Sequence, residues 1–304
     1  MPSLWKLSPD EQCAAVQLWL TENWTPRIVL FDGLTGEGPI HPNAINLLRQ
    51  QGSWFAYWAI EDPMWSHEVV SSNAKKGPYA VVADCVFSPA IECVRRYRRY
   101  GIRSELLPFG MNPDFHRPVP VVGRPRDVVL VANYYGHRAA QLEHLLLQPA
   151  LSVTNDVAIY GHGWEQCNQS LRQFVHGPLD YAKLPSAYAS AKVALGAEQC
   201  LNDSETQCSM RIFEVLGCAG AAYLGPDHRA HRKQFDVGTE IELVVSPEDC
   251  ARKVERLLTQ ESRRCAMVRA GRQAVVSRHA YETHARQIAQ VYQTGIDTSN
   301  RISE

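Results

Sequence analysis

The chain holds nine cysteines, an odd number, and no two of them form a C-x-x-C pair. This scatter argues against a disulfide framework and against a thiolate zinc site, and it fits a reducing cytoplasm. Its 11 histidines include no H-E-x-x-H or other ligand spacing, so no metal ligand set is expected. No G-x-S-x-G elbow and no P-loop occur, which removes the usual serine-hydrolase and P-loop signatures. No uninterrupted apolar run is long enough to span a bilayer. The opening Met1–Lys6 lacks the apolar core of a secretory signal, so the expected location is cytoplasmic. There is also no excess of one charge: 31 Lys and Arg against 32 Asp and Glu leave a net charge of −1, which gives no bulk pull toward nucleic acid or anionic membrane. What remains is a globular composition, 45% hydrophobic and 21% charged over 304 residues, enough for two domains with their own cores.

Short apolar runs alternate with helical patterns. Ser8–Asn23 opens as a helix, with a hydroxyl cap, Pro9 and early acids. Strands are expected at Arg27–Phe31, Trp54–Ile60, Tyr79–Ala83 with Val86–Phe87, and Ser104–Leu107; helices at Asn43–Gln51 and Pro89–Tyr100. Between His116 and Arg126, prolines and a glycine mark a boundary. A second series follows: strand Asp127–Ala132, helix Gly136–Leu147, strands Val157–Tyr160 and Val193–Leu195, a helix from Ser209, strand Ala221–Leu224, strand Glu242–Val245, and three closing helices from Pro247, Glu261 and Tyr281. Such alternation implies α/β domains with parallel sheets, whose ligands bind at the carboxyl ends of the strands.

The most informative stretch is Ser209–Leu224. A helix that begins with Ser209-Met210-Arg211 presents unpaired N–H groups and a guanidinium fork, a setting for phosphate. Glu214, three residues on, shares that face and suits sugar hydroxyls, so phosphate and ribose together suggest a nucleotide. The alternative is a surface helix with an ordinary ion pair. Ala132-Asn133-Tyr134-Tyr135-Gly136-His137-Arg138 is a strand-to-helix turn that could face a diphosphate, with Arg138 as neutraliser. Gly161-His162-Gly163-Trp164, followed by Gly177-Pro178-Leu179, offers either a flat ring beside a base or a tryptophan anchored in the core. Glu61 and Asp62, at the end of a strand, are candidates to take a proton, with Asp32 as a rival; an Asp-Pro turn is the plainer account. The run from Arg95 to Arg103 reads as phosphate contacts or, with a chain charge of −1, as a solvated helix face.

The chain resembles the GT-B glycosyltransferases of the CgeB-like (spore maturation protein) group, near glycosyltransferase family 4. The resemblance is carried in order by Trp58–Pro63, Leu107–Pro118, Asp127–Arg138, Gly177–Tyr181, Ser209–Gly220, Phe235–Gly238, Gly271-Arg272 and His279–Tyr281. It implies two Rossmann-like domains facing a cleft: an acceptor-side domain over 1–118, a nucleotide-sugar-binding domain over 119–278, and a last segment, 279–304, whose helix crosses back to domain one. It implies that Glu214 holds ribose hydroxyls, and that Ser209, Met210 and Arg211 lie at the diphosphate. Asn133, Tyr135 and Arg138 would line the same pocket, while Gly161, His162, Trp164, Pro178 and Leu179 frame the base. It implies a UDP-sugar as donor substrate, with no cofactor and no bound metal. Two departures stand out. Family-4 relatives often carry two glutamates with seven residues between them, whereas Glu205 and Glu214 are separated by eight and Thr206 occupies the expected first position. The chain also opens with a helix where a GT-B domain usually opens with a glycine-ended strand, so the N-terminal domain is expected to be shortened.

The expected reaction is transfer of a hexosyl-type sugar to a hydroxyl-bearing acceptor (a glycan, a peptide, a small molecule or a modified DNA base). Arg211 would stabilise the departing diphosphate. An inverting reaction needs a base, for which Asp62, then Glu61 or Asp32, are the candidates; a retaining one can use the leaving phosphate itself. Rival readings are a non-catalytic nucleotide-sugar-binding or interaction protein, a glycosyltransferase acting on a modified nucleic-acid base, and a nucleotide-sugar epimerase.

Overall fold

A computed structural model describes residues 7–32, 41–60, 82–121, 123, 125–198 and 204–302. Contacts divide the chain into two units, Met1–Pro108 with Gln287–Glu304, and Phe109–Arg286. Glu61 and Asp62, the carboxylates expected to act on the acceptor, lie outside the described residues, as does most of the strand expected over 79–83.

The first unit is built on a four-stranded parallel sheet in the order β1 (Ile28–Asp32), β2 (Trp54–Trp58), β3 (Cys85–Ser88), β4 (Ser104–Leu106). Alternation along β2 and β3 sorts the side chains. Phe55, Tyr57 and Val86 meet Ile45 and Tyr97 in one cluster, while Ala56, Cys85 and Phe87 meet Leu107 and Ile288 in the other. A sheet buried on both faces needs apolar runs, and this is why these strands were readable as uninterrupted hydrophobic segments. Helix α1 (Pro9–Glu22) starts with a reciprocal cap: Glu11 N–H donates to Ser8 Oγ, and Ser8 N–H donates to the Glu11 carboxylate at 2.8 Å. Helices α2 (Pro42–Gln50) and α3 (Ile91–Arg99) complete the series. The carboxylate of Asp84 accepts the Phe55 N–H at 2.8 Å and is paired with Arg49, tying β2 to α2.

The second unit carries a five-stranded parallel sheet in which β5 (Arg126–Val131) lies between β6 (Val157–Tyr160) and β7 (Ala191–Leu195), followed by β8 (Ala222–Pro226) and β9 (Glu242–Val244). The chain runs from β5 to β6 on one side and to β7 on the other. The order therefore reverses at β5, and a crevice opens at the carboxyl ends there. The helix expected over Gly136–Leu147 is instead a 3-10 turn, Gly136–Arg138, leading into a π-helix, Ala140–Leu147, and then the short α4 (Gln148–Leu151). The wider winding buries Leu142, Glu143, Leu146 and Leu147 together. Helices α5 (Leu184–Ala189), α6 (Met210–Cys218), α7 (Arg229–Gln234), α8 (Pro247–Thr259) and α9 (Glu261–Arg278) follow, and α10 runs over Tyr281–Ile302. From Gln287 onward α10 belongs to the first unit, where Tyr292 packs edge-on against Trp54 at 5.7 Å and Gln287 donates to the Leu106 carbonyl at 2.8 Å. No helix among the described residues is long and apolar enough to cross a membrane.

Candidate active site

The ends of β5 and β6 are stapled to each other. Ala132 N–H donates to the Tyr160 carbonyl (2.9 Å), Tyr134 N–H to the His162 carbonyl (2.8 Å), and His162 N–H to Asn133 Oδ1 (3.0 Å). The indole N–H of Trp164 donates to the Ala132 carbonyl at 2.8 Å. Glu143 on the π-helix accepts from the Tyr134 hydroxyl (2.6 Å) and from the Asn168 N–H (3.2 Å), holding the same two loops from behind. Gly161 has φ +146°, and a Cβ there would run into the Ala132 carbonyl. Only glycine lets these two strand ends approach so closely. Gly161 N–H also donates to the Gly177 carbonyl (3.0 Å), which brings Leu179 and Tyr181 alongside. Val131, Ala132, Asn133, Gly161, His162, Leu179, Tyr181, Leu184 and Arg211 together line one pocket.

Arg211 reaches that pocket from the first turn of α6. Ser209 caps the helix, its Oγ accepting the Arg211 N–H at 3.3 Å. One turn on, Glu214 is buried, with Oε2 at 2.6 Å from Arg211 Nη1 and Oε1 at 3.2 Å from the Tyr181 hydroxyl. Burial pushes the Glu214 carboxyl up, and Arg211 offsets part of this. Loss of water around the hydroxyl of the otherwise exposed Tyr181, and the neighbouring Glu214 carboxylate, push its phenol up, so Tyr181 keeps its proton and donates it. His116 stands 3.0 Å from the same hydroxyl through Nε2, and its Nδ1 accepts the Asn112 N–H at 3.1 Å. Burial holds the His116 imidazole below its ordinary value. The neutral ring, with Nδ1 accepting, carries its hydrogen on Nε2.

Two further groups shape the start of α6. Glu198, just past the end of β7, accepts the Ser209 N–H with both carboxylate oxygens, at 3.0 and 2.8 Å. Its Oε1 is also 2.8 Å from Nε2 of His231, and both side chains are buried. Neither Glu198 nor His231 was expected from sequence.

Of the residues expected at the donor, Asn133, Gly161, His162, Leu179 and Arg211 come together on the pocket wall. Glu214 does not line it; its oxygens face Arg211 and Tyr181, which do. Trp164 corrects one expectation. It is 2% exposed, packed on Tyr134 at 5.1 Å and tied by its N–H to Ala132, so it supports the loop from the core and offers no ring to a base. Tyr135 is exposed and does not line the pocket; it stacks on His137 at 5.7 Å with the Arg138 guanidinium 5.3 Å over its ring. Arg138 Nε is buried without a hydrogen-bond partner among the described residues, and Arg138 does not line the pocket. Pro178 sits beside the wall residue Leu179 without lining the pocket, and Met210 opens α6. Glu205 pairs with Lys233 and, at 3.4 Å, with Arg229. Tyr181 and His116 were within the matched motifs, but nothing in their local pattern marked them as partners of Glu214. No group of three or more His, Cys, Asp and Glu among the described residues is arranged to hold a metal ion.

Two parallel α/β sheets, one with its pocket at the carboxyl ends of the strands, define the GT-B architecture of glycosyltransferases. A family model described as glycosyl transferase-like matches residues 137–290, half of the chain, and the protein belongs to that family. Among solved structures, sucrose-phosphate synthase from Thermosynechococcus elongatus aligns over 97% of this chain and 80% of its own, with 16% identity and a TM-score of 0.63. HepE from Anabaena, solved with UDP and glucose, aligns over 96% of this chain and 83% of its own, with 12% identity and a TM-score of 0.63. The pneumococcal O-GlcNAc transferase GtfA, solved with UDP and GlcNAc, aligns over 94% of this chain and 60% of its own, with 14% identity and a TM-score of 0.59. No curated protein matches the chain in sequence.

Proposed function

We propose that this protein transfers a sugar from a nucleotide-sugar donor, a UDP-sugar of the hexosyl type, to a hydroxyl-bearing acceptor. The observation that carries the reading is Arg211, set on the first turn of α6 and facing a pocket at the carboxyl ends of β5 and β6. Departure of a nucleoside diphosphate builds negative charge. A guanidinium fork carried on the positive end of a helix dipole stabilises that charge in place. This is the chemistry a metal-independent transferase requires, and Arg211 with α6 supplies it. Glu214, which sits behind the wall residues Arg211 and Tyr181, is our assignment for the ribose hydroxyls. Leu179 and the Gly161–His162 turn form the side against which a base would rest. The UDP complexes of HepE and GtfA support a uridine donor.

Asp62 is our assignment for the base of an inverting reaction; in a retaining reaction the leaving phosphate guides the acceptor proton. The order of motifs supports kinship with the CgeB-like group near family 4, and the scattered cysteines support a cytoplasmic setting. The direct test is to incubate the protein with UDP-sugars and candidate acceptors, and to measure free UDP and glycosylated product. Release of UDP with product supports transfer. Binding without turnover points to a non-catalytic sugar-nucleotide binder, and sugar isomerisation without UDP release to an epimerase.

A further inference from the structure

Glu214 is held by more than its neighbour on α6. Its Oε2 pairs with Arg211 at 2.6 Å, while its Oε1 accepts from Tyr181, 33 residues away in sequence, at 3.2 Å. Tyr181 in turn accepts from His116, a further 65 residues away, at 3.0 Å. The His116 ring is fixed by the Asn112 N–H, and its backbone carbonyl accepts from Arg272 Nη1 at 3.3 Å. The same Arg272 guanidinium donates to the Gly217 carbonyl near the end of α6. Gly217 permits this: a Cβ there would collide with His116 and Met111. One arginine of α9 therefore clamps the Asn112–His116 turn onto the helix that carries Glu214. Tyr181 sits on a short turn capped by Asp180, whose carboxylate accepts the Ala182 N–H at 3.0 Å. Its ring stacks on Phe115 at 4.9 Å and reaches the pocket wall.

We infer that His116 and Tyr181, locked by Arg272, are positioning residues that set the orientation of the Glu214 carboxylate and so tune how strongly the site discriminates a ribose from a deoxyribose. The inference rests on the donor reading of α6. The proton order is consistent along the whole chain. Asn112 N–H donates to His116 Nδ1, His116 Nε2–H donates to the Tyr181 oxygen, and the Tyr181 hydroxyl donates to Glu214. Every donor has one acceptor, and each Glu214 oxygen has a lone-pair site that the network leaves unused. A network satisfied in this way holds its members in one arrangement. A carboxylate free to turn would lose that aim.

The test compares binding of UDP and 2′-deoxy-UDP by calorimetry in the unmodified full chain, in Tyr181→Phe and in His116→Gln. Tyr181 is 54% exposed and its replacement is isosteric, so folding is expected to survive; His116 is buried, so its variant is first checked by thermal midpoint. Tyr181→Phe should weaken UDP about fivefold, the loss of one modest hydrogen bond. It should leave 2′-deoxy-UDP within about twofold, so that the ratio of the two narrows. A folded His116→Gln, whose side-chain amide can still donate to the Tyr181 oxygen, should keep the ratio close to that of the unmodified chain. A ratio unchanged by Tyr181→Phe, with both ligands weakened alike or neither weakened, overturns the positioning role while leaving the donor site standing. No binding of either nucleotide by the unmodified chain overturns the donor reading and the relay with it.

Discussion

Both carboxylate oxygens of Glu198 lie within hydrogen-bond distance of the Ser209 N–H, at 3.0 and 2.8 Å. Ser209 caps α6, so a carboxylate from the end of β7 anchors the helix start that aims Arg211 into the pocket. A negative group there is favoured by the helix dipole, and the buried His231 ring braces it from behind at 2.8 Å. Replacing Glu198 with alanine leaves a backbone donor and a buried imidazole without their acceptor. Such a change costs about 2–3 kcal/mol. A thermal melt of Glu198→Ala should show a clearly lowered midpoint, with Glu198→Gln falling between the two. An unchanged midpoint would mean that the pair does not hold α6.

Gly161 makes the pocket possible at the point where β6 ends. Its φ of +146° and the nearby Ala132 carbonyl exclude any side chain. Gly161→Ala should destabilise the second unit by about 2 kcal/mol or more. It should also weaken nucleotide binding, because Ala132 and Asn133 would be pushed from the wall. Wild-type stability with wild-type binding would show that the turn tolerates a Cβ and that the geometry argued for it is wrong.

Two histidines of the second unit predict a pH response. Burial lowers both His279 and His284 to about 4; for His279 the Arg278 charge and His284 add to the effect. In the unfolded chain each would titrate near its ordinary 6.5, so between these values the unfolded state binds protons that the folded state refuses. Stability is therefore full above pH 6.5, falls as the pH drops toward 4, and gains no further loss from these groups below that. His279 packs at 5.0 Å from Phe213 and 5.5 Å from Phe235, so His279→Phe is a reasonable apolar replacement. Midpoints measured from pH 7 to 4 should fall less steeply in that variant. An identical pH slope would remove His279 as a contributor.

The legible parts of this protein are those in which one short segment carries the whole signal. Trp54–Trp58 shows its place in a doubly covered sheet because each of its residues is apolar. Ser209, Arg211 and Glu214 show a capped helix with an arginine and a carboxylate on one face because all three fall within one turn and a half. Trp164 was ambiguous because a glycine-bounded turn does not determine which way its ring points; only the Ala132 carbonyl and Tyr134, from another strand, settle it in the core. The bonds from His116 to Tyr181 and from Tyr181 to Glu214 join segments that sequence spacing does not relate. The π-helix over Ala140–Leu147 has an ordinary helical composition, and its winding is visible only in the backbone.

Asp62→Asn is expected to reduce turnover strongly while leaving UDP-sugar affinity intact if the reaction inverts. Removing a general base typically costs about 10²–10⁴-fold. Turnover assays beside calorimetry separate the two quantities. Full activity in Asp62→Asn would remove it as the base and direct attention to a retaining reaction.

The most direct test of the account is calorimetry of UDP with the unmodified chain and with Arg211→Ala. Burial already pushes the Glu214 carboxyl up, so the loss of its guanidinium partner can be met by protonation, and the variant should remain folded. If Arg211 holds the diphosphate, the unmodified chain binds UDP and the variant binds it about 10- to 100-fold more weakly, the value of a charge-assisted contact. Equal affinity in the two proteins would contradict the assignment of α6 as the donor site.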